Sequence, residues 1–136
     1  MTEREKRILE FLEPHGLGGF QNISNLLTEF FPLDNKEIGE IRGKRQNIID
    51  FLDGLTAAGF INMRDRPDRH LGKGNSSEGY KWLDTTPIAA AIGSNGLEQL
   101  YNERAKTEQN EEKKMTLMTA SSTMRLNGVI ERNIPI

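Results

Sequence analysis

With 136 residues the chain has room for one domain of ordinary size plus an extension of roughly 20 to 40 residues, which excludes two independent domains. Hydrophobic residues make up 35% and charged residues 28%, a balance that supports a modest core beneath a large polar surface. The absence of cysteine removes disulfides, thiolate metal sites and cysteine nucleophiles, and a net charge of −2 supplies no global attraction for nucleic acid.

The first predicted element spans Thr2 to Glu13. Ile8, Leu9, Phe11 and Leu12 fall on one face of a helix, while Glu3, Arg4, Glu5, Lys6 and Arg7 cover the rest. Pro14 and Gly16-Leu17-Gly18-Gly19 end it. This charged start holds no apolar stretch long enough for a signal peptide or a bilayer span, so a cytoplasmic protein away from membranes is expected. A loop or short extended piece follows over Phe20 to Ile23. Ser24 suits the N-cap of a second helix that buries Leu26, Leu27 and Phe30 and stops at Pro32.

Asp34 or Asn35 is the expected cap of a third helix, along which Ile38, Ile41, Ile48, Leu52 and Leu55 keep the spacing of one apolar face. The simplest form is one helix of about six or seven turns whose first half projects past the core, so that it tolerates Arg45 on the stripe and Gly39 and Gly43 along its length. The alternative breaks it near Gly43. Gly59 then ends the helix, and Phe60 to Arg64 continues as a strand.

Asp65 to Gly79 has the composition of an exposed loop, and Tyr80-Lys81-Trp82-Leu83 reads as the returning strand of an antiparallel pair. Ile88 to Ile92 is short and apolar. Ser94 is the expected cap of a fourth helix bearing Leu97, Leu100 and Tyr101, followed by the charged run Glu103 to Lys114, which is either a solvated helix or a helix needing a partner. In the tail, Asn127-Gly128 between Met124-Arg125-Leu126 and Val129-Ile130 predicts a β-hairpin within 119–136. The chain thus divides into a domain over 1–102 and a helical extension and tail over 103–136, mostly α with a small antiparallel β element.

The order helix, helix, helix, strand, loop, strand, helix resembles the winged helix-turn-helix superfamily. Leu55-Thr56-Ala57-Ala58-Gly59-Phe60-Ile61 is similar to the end of a recognition helix entering the first wing strand. Ile92-Gly93-Ser94-Asn95-Gly96-Leu97-Glu98-Gln99-Leu100 is similar to the closing strand and helix start that follow a wing. The likeness covers roughly residues 4 to 102 and speaks to fold more than to function. It implies a DNA-binding, transcription-regulator-like protein whose third helix enters the major groove while the wing reaches phosphates.

On that resemblance the nucleic-acid-binding candidates are Arg42, Lys44, Arg45, Gln46 and Asn47 on the helix, and Arg64, Arg66, Arg69 and Lys73 in the wing. Arginine suits guanine, and asparagine or glutamine suits adenine. The alternative for the helix run is a solvated face paired with Glu37, Glu40 and Asp50, and for the wing a loop that is basic for solubility alone. A carboxylate at Asp50 facing phosphate is unfavourable.

No cofactor, metal site or enzymatic activity is expected. His15 and His70 lie far apart without acidic neighbours at ligand spacing, and Ser76 and Ser77 near His70 do not form a nucleophile, base and orienting group. Gly72-Lys73-Gly74 lacks the glycine spacing of a phosphate loop. The second functional expectation is a protein-interaction or self-assembly module without nucleic acid, and on either reading the expected partner is a second copy, in a homodimer formed through the C-terminal helix or tail.

Overall fold

The computed structural model describes residues 1–32, 38–64 and 88–133, with the backbone alone for 38, 39, 41, 42 and 131–133. Helix α1 (Glu3–Leu12) opens with a capping box: Thr2 Oγ1 accepts from the Glu5 amide at 3.2 Å and Glu5 returns the contact to the Thr2 amide. A 3-10 turn over Glu13–His15 ends it. Strand β1 (Gln21–Asn22) leads into α2 (Ser24–Phe30), and α3 (Ile38–Ala57) runs unbroken through Gly43.

Ser24 does not cap α2. Its hydroxyl accepts from the Ile88 amide at 3.2 Å, while the Ile23 amide donates to the Ile88 carbonyl at 3.0 Å, so Ser24 is spent on fixing two distant segments together. The expected cap at Asp34 or Asn35 lies outside the described residues.

The end of α3 forms as its sequence dictates. Gly59 takes φ of +75°, the Phe60 amide donates to Leu55 O and the Gly59 amide to Thr56 O, which is the double closure of a glycine-terminated helix. Strand β2 (Ile61–Met63) begins at once. Its antiparallel partner is β3 (Ala89–Ile92), with Ile61 opposite Ile92, whereas the expected partner Tyr80–Leu83 lies outside the described residues. β3 also pairs antiparallel with β1, so the sheet order is β1-β3-β2 and β3, all but one of its residues alanine, is the central strand.

Beyond β3 come α4 (Ser94–Thr107) and α5 (Glu111–Asn133). Gly93, not Ser94, occupies the N-cap of α4, and the Ser94 hydroxyl instead accepts from Asn127 Nδ2 at 2.6 Å. The tail hairpin predicted over 119–136 does not form, because α5 is helical through Asn127 and Gly128. Leu117, Ser121, Met124 and Gly128 recur at three-four spacing on its sheltered side, and a turn at Asn127-Gly128 would break that stripe and the contact to Ser94. The charged run separates instead into the end of α4, a turn at 108–110 and the start of α5.

One core joins α1 (Ile8, Leu9, Leu12), α2 (Leu27, Phe30), α3 (Ile48, Leu52, Leu55), the sheet (Ile61, Ala90, Ile92) and α4 (Leu97, Leu100), with Met124 of α5 packed against it. Phe51 meets Phe30 and Phe31 edge-on at 6.2 and 5.6 Å, and Arg4 and Arg7 lie over the faces of Phe31 and Phe30. The fold is therefore α+β, mainly helical with a small antiparallel sheet.

Candidate nucleic-acid interface

Helix α3 carries the first group of candidates, and it distributes them around its circumference. At 100° per residue, Lys44 and Arg45 fall beside the buried stripe of Ile48, Leu52 and Leu55, whereas Gln46, Asp50 and Asp53 fall on the opposite side. Burial follows this geometry. Gln46, Asn47, Asp50 and Asp53 are exposed and Lys44 is half-buried, while Arg45 retains only 7% exposure.

Arg45 is therefore not tolerated because the helix projects past the core, as its place on the stripe first implies; it lies inside. Its Nη2 has no hydrogen-bond partner among the described residues. A guanidinium so enclosed is not presented to a groove. Arg42 belongs to α3, but its side chain lies outside the described residues.

The outward face is chemically mixed. Gln46 Nε2 donates to Asp50 Oδ1 at 2.8 Å, which takes one of the two N–H donors it could offer to a base edge. Asn47 stands exposed beside it. Asp50 and Asp53 bring two carboxylates onto this surface, so approach to phosphate requires the cations of the first half of α3 and of the β2–β3 connection to outweigh them.

Arg64 is exposed just beyond β2, its guanidinium 4.9 Å from the centre of the Phe20 ring, and its amide donates to Ala89 O at 3.4 Å. The stacked ring holds the head near the surface, and among the described residues no carboxylate takes its donors. Arg66, Arg69 and Lys73 lie outside the described residues. Of the nine candidates, then, Lys44, Gln46, Asn47 and Arg64 are described at or near the surface.

Other charged groups are committed to structure. Arg104 donates from both Nη atoms to Glu13 at 2.6 Å, clamping α4 to the end of α1, and the hydrogen bond raises its pKa above the ordinary value. Arg7 likewise engages Glu29 with both nitrogens, which raises the arginine and lowers the carboxyl. A cleft at the α4–α5 turn is bordered by Arg104, Glu108, Asn110 and Lys113, and the Arg104 guanidinium there is already engaged by Glu13. Among the described residues no three His, Asp or Glu side chains cluster as metal ligands, and no helix is long and apolar enough to cross a membrane.

Sequence reasoning missed the outer face of α5, where Met115, Met118, Leu126 and Ile130 are all exposed. Their three-four spacing is present in the sequence, but the Asn-Gly signal conceals it by suggesting a turn. Comparison with protein-family models, curated proteins and solved structures finds no match for this chain.

Proposed function

We propose that the chain is a winged-helix DNA-binding protein with a regulator-like role, in which the first half of α3 meets the major groove and the β2–β3 connection meets phosphates. The observation that supports this most is the strand order β1-β3-β2 together with the glycine corner at which α3 passes into β2. In that arrangement α1, α3 and α4 pack against a small sheet, and the β2–β3 connection, with Arg64, Arg66, Arg69 and Lys73 against Asp65 and Asp68 in its sequence, is the segment between the two paired strands. Lys44, Asn47 and Arg64 are the described side chains best suited to contact, and Arg42 joins them by sequence.

The test is fluorescence anisotropy with labelled random-sequence duplexes at low salt. Affinity should fall steeply with salt, and Arg64→Ala should weaken binding similarly for all sequences while reducing the log–log salt slope by about 1. A protein without salt-sensitive affinity for duplex would refute the proposal.

A second function, a protein-interaction module that does not touch nucleic acid, is favoured by Asp50 and Asp53 on the outward face of α3 and by the inward Arg45. Neutralising both carboxylates separates the two. Asp50→Asn with Asp53→Asn should strengthen duplex binding if α3 approaches phosphate and leave it unchanged if it does not.

A further inference from the structure

Helix α5 has two faces. The side against α4 combines Leu117 and Met124 with polar bonds that set its register: Ser121 Oγ donates to Asn102 Oδ1 at 2.6 Å, Arg125 Nε to Glu98 Oε1 at 2.7 Å from the edge of this side, and Asn127 Nδ2 to Ser94 Oγ at 2.6 Å. The side turned away from α4 carries Met115, Met118, Leu126 and Ile130, exposed by 60%, 47%, 62% and 52%. At 100° per residue these four fall within an arc of about 120°, centred opposite the inner stripe.

We infer that the outer face of α5 is covered by a second copy of this chain, the two helices running antiparallel across a two-fold axis near Ser122. Three observations select this occupant. The first is area: the four side chains expose roughly 400 Å², already the size of patch that marks an interaction site on a monomer. Two copies with the flanking helix surface then approach the roughly 1,200 Å² at which specific interfaces begin.

The second observation is self-complementarity. Counted from Ser122, these four residues stand at −7, −4, +4 and +8, with the less exposed Val129 at +7, so an antiparallel pair sets Met118 of each copy beside Leu126 of the other and Met115 near Val129 and Ile130. Thr119 and Ser122, exposed and small, lie at the crossing and permit close approach. A shallow groove bordered by Glu112, Met115, Thr116, Thr119 and Ala120 lies where Ile130 of the second copy arrives. Methionine adapts to such a site better than branched residues do.

The third is charge. Parallel pairing would bring the exposed Glu111 and Glu112 of both copies together and align the helix dipoles, whereas antiparallel pairing separates the carboxylates and opposes the dipoles. The assembly is independent of DNA binding, which involves other elements.

The experiment uses the full chain in sedimentation velocity, with circular dichroism to confirm unchanged helix content. Wild type should be dimeric. Met118→Glu and Leu126→Lys should each weaken association more than about tenfold, because each buries a charge twice across the axis. Mixing the two variants should restore a heterodimer, since the antiparallel register places the new carboxylate beside the new ammonium.

A wild-type monomer up to about 100 µM would overturn the inference and assign the stripe to a different protein or an apolar surface. A dimer that survives both substitutions would place the interface elsewhere, and failure of the mixture would overturn the antiparallel register. Because the chain has no cysteine, Ser122→Cys supplies a check that barely perturbs folding. Mild oxidation should link Ser122→Cys chains into dimers, while Asn25→Cys, exposed on α2, stays unlinked; the opposite result contradicts the proposed axis.

Discussion

Gly96 offers the sharpest test of how the sheet and α4 are joined. A helical glycine replaced by alanine ordinarily gains up to about 1 kcal/mol through lower unfolded-state entropy and better propensity. At Gly96 an added Cβ would lie 2.3 Å from the Phe60 carbonyl oxygen, 2.9 Å from Leu9 Cδ2 and 3.1 Å from Ile92 Cγ1. The nearest atom is backbone at the corner between α3 and β2, where Phe60 O already accepts from the Gly93 amide at 2.8 Å, so it cannot rotate away. Relief requires a shift of roughly 1 Å between α4 and β2, and overpacking of this kind costs about 1–3 kcal/mol. Set against the propensity gain, Gly96→Ala should lose about 1–2 kcal/mol and lower the melting temperature by roughly 3–10 °C. Gly54→Ala is the control: it sits in α3 with nothing within 4 Å of the added Cβ, and should gain about 0.5–1 kcal/mol. Urea denaturation followed at 222 nm measures both. A Gly96→Ala protein as stable as wild type would refute the close approach of α4 to the α3–β2 corner.

Two further outcomes follow from charged groups. Arg45→Met keeps a long side chain but removes an enclosed charge whose Nη2 lacks a partner among the described residues, so stability should be unchanged or higher by up to about 1 kcal/mol in the same urea assay. It should also leave duplex affinity intact, and a tenfold loss in anisotropy would show that Arg45 reaches DNA after all. For Glu29, the hydrogen bond from Arg7 holds the carboxyl below its ordinary value of 4.5. A carboxylate whose folded pKa is depressed stabilises the fold above its unfolded pKa, and the contribution disappears as pH falls through the folded value. Wild type should therefore lose stability more steeply between about pH 5 and 3 than Glu29→Gln, and equal slopes would remove the pair from acid sensitivity.

The elements that the sequence predicts well are those in which local chemistry and tertiary packing agree. α1 has a reciprocal cap and a clear stripe, and α3 has Gly59 where its last turn closes, so both ends are set by nearest neighbours. β3 is harder to see. Ala89, Ala90 and Ala91 have weak strand preference, and their pairing with β1 and β2 is settled by residues tens of positions away. Ser24 and Ser94 read as caps, yet their hydroxyls are taken by Ile88 and Asn127, partners that no local pattern announces. Asn127-Gly128 is the reverse case, a strong turn signal overridden by helix packing. Of the candidate interface, the helical spacing alone already sets Arg45 on the apolar stripe; what it leaves open is whether that part of α3 projects past the core, and the structure instead encloses Arg45 while Asn47 stands exposed.

The two-sidedness of α5 connects these features. A helix on the surface of a monomer normally wets its polar side, but α5 turns Ser121 and Asn127 inward beside Leu117 and Met124, reaches over to Glu98 with the exposed Arg125, and leaves large apolar side chains outward. The inward polar bonds are specific where apolar contacts are forgiving: sliding α5 by one turn against α4 would part Arg125 from Glu98 and Ser121 from Asn102, leaving Glu98, with 9% exposure, buried without its cation. α4 is itself fixed at its start by Asn95 on Ala58 O and along its length by Arg104 on Glu13. Register is thereby passed from the core through α4 to α5, and the outer stripe is held at a fixed position relative to α3. In the proposed dimer, a mounting this rigid would set the separation of the two α3 helices, so the pairing itself would not need duplex, whereas the proposed reading of paired half-sites would need the pairing.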